Sequence, residues 1–199
     1  IDGQQRLTTI SLFLTAIYTR LKEHKDEMSE DDEDVLPSLR KSLKSKNSPN
    51  EMKLVPQVQN YNLDDFNHLM NGVALRKASA SKHPYYAQRK IARCYNYFLK
   101  RIDKEIESLN DESVVDFLLG KYNKVKQAML VKIEVSSHSD AYVLFESLNN
   151  RGTPLTAIDL MKNLIMAKAE GNNLTIDDCF NRWQTLLGNL SEDYSIQER

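Results

Sequence analysis

Apolar side chains recur at three- and four-residue steps through Leu7, Ile10, Phe13, Leu14, Ile17 and Leu21. That spacing predicts a helix from about Gln5 to Lys25 with one buried face. The block from Glu27 to Asp34 is nearly all carboxylate. Such a run repels itself, so a solvated loop or frayed helix end is expected there. Leu39 and Leu43, then Met52 and Leu54, are evenly spaced on either side of the turn-forming residues 47–50. This fits a two-stranded hairpin, with Pro56 ending its second arm. Asn62 has the character of an N-cap for a short helix, Leu63 to Met70, with Leu63, Phe66 and Leu69 inward and Gly72 at its end. Residues 73–82 show no firm periodicity and are expected to form a mobile linker.

Pro84 opens a long helix in which Ile91, Tyr95, Phe98, Ile102 and Ile106 form one stripe, opposite a face of Lys, Arg and Glu. Asp111 is placed to cap a further helix, Glu112 to about Tyr122, carrying Val115, Phe117, Leu118 and Leu119. Residues 127–135 alternate in their second half and predict a strand. A helix from Ala141 to Asn149 follows, with Leu144, Phe145 and Leu148 inward. Gly152 and Pro154 break it. Thr156 caps the next helix, with Asp159 three residues on. Leu160, Met161, Leu164 and Ile165 mark its inner face, and Gly171 its end. Thr175 and Asp178 repeat the start signal, and Phe180, Trp183 and Leu187 make the last apolar stripe. The sum is a predominantly helical α+β chain with one clear strand and one hairpin. Three parts are expected: residues 1–72, the linker 73–82, and residues 83–199.

With 41% hydrophobic and 28% charged residues over 199 positions, the chain can bury one sizeable core or two small lobes. A net charge of −1 gives no global attraction to nucleic acid, so any contact with DNA needs a local patch. Two stretches supply candidates. Arg40, Lys41, Lys44, Lys46 and Lys53 decorate the expected hairpin; no aromatic residue interleaves them, so protective edge lysines are the favoured reading there. In the long helix, Tyr85, Tyr86, Tyr95 and Tyr97 interleave with Arg89, Lys90, Arg93, Lys100 and Arg101, although tyrosines at helical spacing more often belong to a core. Cys94 and Cys179 lie far apart within helical patterns, as reduced, buried or half-buried thiols of a cytoplasmic protein would. His24, His68, His83 and His138 are scattered, without zinc-ligand spacing. No run is long and apolar enough to span a membrane. There is no G-x-x-x-x-G-K-[ST] loop and no G-x-S-x-G elbow.

The chemistry concentrates at the start. Asp2-Gly3-Gln4-Gln5-Arg6 sits at the amino end of the first helix, where unpaired N–H groups and the helix dipole favour an anion. Gly3 permits close approach of a ligand to the backbone, and the Arg6 fork suits phosphate oxygens. Asp2 is a candidate metal ligand or a cap of the turn. Gln4 or Gln5 can orient a water, since an amide both donates and accepts. The bland reading has Asp2 and the glutamines capping the helix while Arg6 pairs with a surface carboxylate. Arg151, in the helix-breaking loop with Asn150 and Gly152, is the second arginine in an unusual setting. If the fold brings it beside Arg6, the two would clamp a polyphosphate from two sides; otherwise Arg151 bonds carbonyls of its own loop.

The DGQQR run followed by Leu7-Thr8-Thr9 resembles the signature of the GmrSD-type restriction endonuclease family, in its ParB/sulfiredoxin-like N-terminal domain. The stretch from Phe145 to Asn163, FESLNNRGTPLTAIDLMKN, resembles that family's other characteristic segment. The resemblance implies a nucleotide-binding and hydrolysing domain of a modification-dependent or phage-defence restriction factor. Its cofactors would be a nucleoside triphosphate (GTP, ATP or CTP) with Mg²⁺. In related members a G-x-x-R turn at a helix start holds the phosphates, which Gly3 to Arg6 match. The implied site is Asp2, Gln4, Gln5 and Arg6 for catalysis, with Gly3, Arg6, Asn150, Arg151 and Gly152 for the nucleotide and Asp2 for the metal. The implied partners are the nucleotide, DNA through the full-length protein, and a separate HNH-type nuclease domain or subunit; a homo-oligomer is left open, since the sequence does not fix the oligomeric state. The chain starts inside the motif and without Met, so it is expected to be part of a longer protein. In the family, strands precede the motif, which would explain why so few strands are predicted here.

Overall fold

A computed structural model describes residues 3–48, 51–56, 61–73, 85–110, 113–134, 161, 164, 165 and 176–190. The chain divides into two compact units, Ile1–Met129 and Leu130–Arg199.

The first unit is built on α1 (Gly3–Glu23), followed by α2 (Val35–Leu43), α3 (Asn62–Val73), α4 (Lys90–Ile106) and α5 (Val114–Gln127). α1 packs against all four of the others, and most extensively against α4. Its buried face is Leu12, Thr15, Ala16, Ile17, Tyr18 and Leu21. Burying an aliphatic or aromatic side chain of this size contributes about 1.5–3 kcal/mol, so this half of the helix is anchored. The expected stripe holds from Phe13 onward, but Leu7 is 41% exposed. Apolar spacing fixes which face can be buried, and here the covering helices reach only as far as the middle of α1. Thr15, fully buried, donates its hydroxyl to the Ser11 carbonyl at 2.6 Å, so its own polar atom is not stranded beneath the packing.

α4 carries the predicted stripe: Ile91, Tyr95 and Ile102 are buried, and Phe98 and Ile106 pack against the same core. Phe66 and Met70 from α3 and Val115, Leu118 and Tyr122 from α5 complete it. The core thus draws on helices from both sides of the 73–82 stretch, most of which lies outside the described residues. α5 is capped by Ser113, which accepts from the Asp116 amide at 3.4 Å; the expected Asp111 cap lies outside the described residues. The acidic block lies between α1 and α2 as two single 3-10 turns, Lys25–Glu27 and Glu30–Asp32, neither with a buried residue.

Two expectations are corrected. Leu39 and Leu43 lie in a helix, not in a hairpin arm, and both are buried together with Leu36. What remains of the hairpin is one antiparallel bridge, Lys44 to Met52, flanked by bonds from Ser45 N to Glu51 O and from Lys53 N to Leu43 O, each 2.9 Å. Residues 128–134 leave α5 without helix or ladder, and among the described residues no strand forms. Met129, Leu130, Val131 and Ile133 there are exposed. An alternating pattern specifies an extended conformation, but a strand also needs a partner edge.

In the second unit, α6 (Ile176–Leu190) buries Cys179 and Trp183, one turn apart. Trp183 agrees with the predicted stripe. Met161, Leu164 and Ile165, expected on an inner helical face, are instead 52%, 53% and 44% exposed. The residues from Ala141 to Asn149 lie outside the described residues. No helix among the described residues is long and apolar enough to cross a membrane.

Candidate functional site

The sequence places α1 at Gln5, but the helix begins at Gly3. This small shift changes the site. The first four amides of a helix have no acceptor within it. The amides at this end belong to the motif itself, so it supplies backbone N–H groups as well as side chains to the start of the helix. No acidic side chain occupies this turn to neutralise the positive end of the dipole. Gly3, Gln5 and Arg6 are exposed and Gln4 is half-buried. Gly3 needs no special backbone, since no described glycine has a positive φ. Among the described residues, a Cβ at Gly3 would meet only Leu7 Cδ1, at an ordinary 3.8 Å. Nothing among the described residues therefore requires glycine here on steric grounds.

The other end of α1 is fixed to α4 by polar contacts. Arg20 donates to both carboxylate oxygens of Asp103, at 2.6 and 2.7 Å, and also to Glu23. The bond to Asp103 raises the Arg20 pKa above its ordinary value. Thr19 and the buried Tyr95 share a hydrogen bond of 2.8 Å.

Gly3 to Arg6 thus share one turn. The remaining predicted site residues, Asp2, Asn150, Arg151 and Gly152, lie outside the described residues. Among the described residues no group of three His, Cys, Asp or Glu side chains is arranged to hold a metal ion.

The match to known families follows this layout. Residues 1–166 match the family described as GmrSD restriction endonuclease, N-terminal domain. The chain belongs to that family. The match takes in the opening motif, α1 to α5 and the 145–163 stretch. No curated protein and no solved structure matches the chain.

This GmrSD N-terminal domain also contains a polar cluster that sequence reasoning missed. Asp65, 1% exposed in the first turns of α3, receives two bonds of 2.7 Å from Arg89, the residue before α4. The Arg89 guanidinium lies 4.8 Å from the centroid of the Tyr61 ring. His68 meets Tyr86 edge-on at 4.6 Å. The Tyr86 hydroxyl is buried with no hydrogen-bond partner among the described residues. Burial, and then the nearby Asp65 charge, push its pKa up to about 12. Just before it, Tyr85 adopts φ 61°, a left-handed conformation rare for a tyrosine. The available signal was weak: Asp64 and Asp65 look like ordinary acidic residues at a helix start, which usually face water. The cluster ties α3 to the start of α4, and α4 in turn carries Asp103 and Tyr95, which brace α1.

Proposed function

We propose that this domain binds and hydrolyses a nucleoside triphosphate (GTP, ATP or CTP) as the sensor part of a DNA restriction protein of the modification-dependent or phage-defence kind. The observation that carries the reading is the position of Gly3-Gln4-Gln5-Arg6 as the whole first turn of a helix whose far end is locked into the core. A preorganised turn of amides with an arginine beside it stabilises charge on phosphate oxygens without reorganising during reaction. Arg6 binds phosphate, and Gly3 lets oxygen atoms approach the backbone. Gln4 or Gln5 orients the attacking water. Asn150, Arg151 and Gly152 are further candidates for binding the nucleotide.

The turn offers no carboxylate of its own, so Asp2 is the residue that would hold Mg²⁺. One carboxylate plus the ligand's phosphates suits that ion, which rarely occupies an all-protein cage. When bound, it neutralises phosphate charge. A nuclease domain or subunit of HNH type then performs the cutting in the cytoplasm.

Calorimetry with ATP, GTP and CTP, each with Mg²⁺, tests this on the full-length parent and on the 199-residue chain. Binding by the parent should weaken at least tenfold in Arg6→Ala with the fold intact. Undiminished binding and turnover in that variant would end the assignment. If the parent binds and the shorter chain does not, the pocket needs residues beyond this chain.

A further inference from the structure

At about 100° per residue, α4 sorts its side chains sharply. Ile91, Ala92, Tyr95 and Ile102 turn into the core. On the far side, Lys90, Arg93, Tyr97, Lys100, Arg101 and Lys104 fall within an arc of about 100°. All six are exposed, and no acidic residue of α4 lies in that arc. Glu105, at its border, is taken up from two directions: Lys121 of α5 donates to one carboxylate oxygen and Arg101 to the other at 3.1 Å. Those bonds, Lys121 first, lower the Glu105 pKa and keep it committed to its partners. The structure thus separates tyrosines that the sequence left mixed. Tyr95 is core, whereas Tyr97 is 61% exposed within the cationic row.

We infer that this face of α4 is a contact surface for the phosphate backbone of duplex DNA, carried on a different helix from the opening motif. Charge and shape choose the occupant. From Lys90 to Lys104 the row runs about 21 Å, a length over which B-DNA carries on the order of a dozen phosphates. A straight, rigid row suits a regular duplex. Single strands call for a succession of aromatic platforms, and this face has one. An interfacial membrane helix would need its apolar face free, but that face of α4 is in the core. The contacts touch phosphates, so binding is strongly salt-dependent and nearly indifferent to sequence.

The test is anisotropy of a fluorescently labelled duplex of about 20 base pairs, titrated with the 199-residue chain from low to moderate salt. The triple variant Arg93→Gln/Lys100→Gln/Lys104→Gln should weaken binding at least tenfold at low salt. It should also make the slope of log K against log salt shallower by about 3, near one per lost cation. A control triple, Lys41→Gln/Lys46→Gln/Lys53→Gln, should leave both within a factor of two. Far-UV circular dichroism verifies that each variant is folded, and Tyr97→Ala with the α4 cations intact should retain the full slope. Three results would overturn the inference: no duplex binding at low salt, binding unchanged in the α4 triple, or tighter binding of the single strand. The surface stands independently of the nucleotide reading, because Arg6→Ala should bind the duplex as the unmodified chain does.

Discussion

The two ends of α1 are built in opposite ways. From Leu12 to Glu23 the helix is packed on one side by four other helices and held by the Arg20–Asp103 pair and the Thr19–Tyr95 bond. From Gly3 to Leu7 its residues are exposed or half-buried. A helix anchored at one end presents its other end as a fixed object with little conformational cost. Tight packing therefore serves a turn that is itself barely packed. What would be a weak, fraying terminus in an isolated peptide becomes a preorganised row of amides.

The contrast predicts unequal responses to the same change. Leu21→Ala, at a fully buried site, should cost about 4 kcal/mol in urea unfolding, whereas Leu7→Ala should cost less than about 0.5 kcal/mol. Equal costs would mean that the two ends are not different. Asp65→Ala should cost about 3 kcal/mol, because it leaves the Arg89 guanidinium largely buried without its partner. A double variant with Arg89→Met should recover much of that loss.

Tyr86→Phe should stabilise by about 1 kcal/mol, since the buried hydroxyl it removes has no partner among the described residues. It should also alter the alkaline limb of a pH–stability curve. The phenol titrates near 10 when unfolded and near 12 when folded. In that window the folded state holds the proton that the unfolded state releases, so the Tyr86 contribution is complete below pH 10 and lost as pH rises towards about 12. The phenylalanine variant should lack this part of the decline. The smallest effect belongs to the bare end. Gly3→Ala should raise stability by about 0.5 kcal/mol, because alanine is the better helix former and its Cβ has room. The same variant should bind nucleotide more weakly; unchanged affinity would show that close approach at Gly3 is not needed.

The parts of this fold that were legible in the sequence are those set by a single element. The stripe of α4 and the buried half of α1 follow directly from helical spacing. The error at α2 shows the limit of that logic. Leu39 and Leu43 are four apart, a separation that returns to the same face of a strand as well as of a helix. Leu36, three before Leu39, is the residue that breaks strand parity and favours the helix. For Val131 and Ile133 the alternation was real, but pairing depends on a neighbour that the pattern cannot name. At Met161, Leu164 and Ile165 the spacing likewise marked a face without saying what covers it.

The candidate site was legible as chemistry and not as geometry. Residue types pointed to a phosphate at the amino end of α1, yet the two-residue difference in the helix start decides whose amides stand at that end. The Asp65–Arg89 pair was invisible for another reason: its members lie 24 residues apart, and nothing local distinguishes a carboxylate that will be buried from one that will face water.

The run from Met129 to Ile133 has a practical consequence. Four exposed apolar residues in an open backbone, rich in β-branched side chains, form the kind of segment from which chains stack into insoluble sheets. Lys132 is the charge that interrupts it, and it pairs with Glu134. Concentrated stocks of this protein should therefore cloud sooner when Lys132 is replaced by an uncharged residue, long before the helical core itself begins to melt.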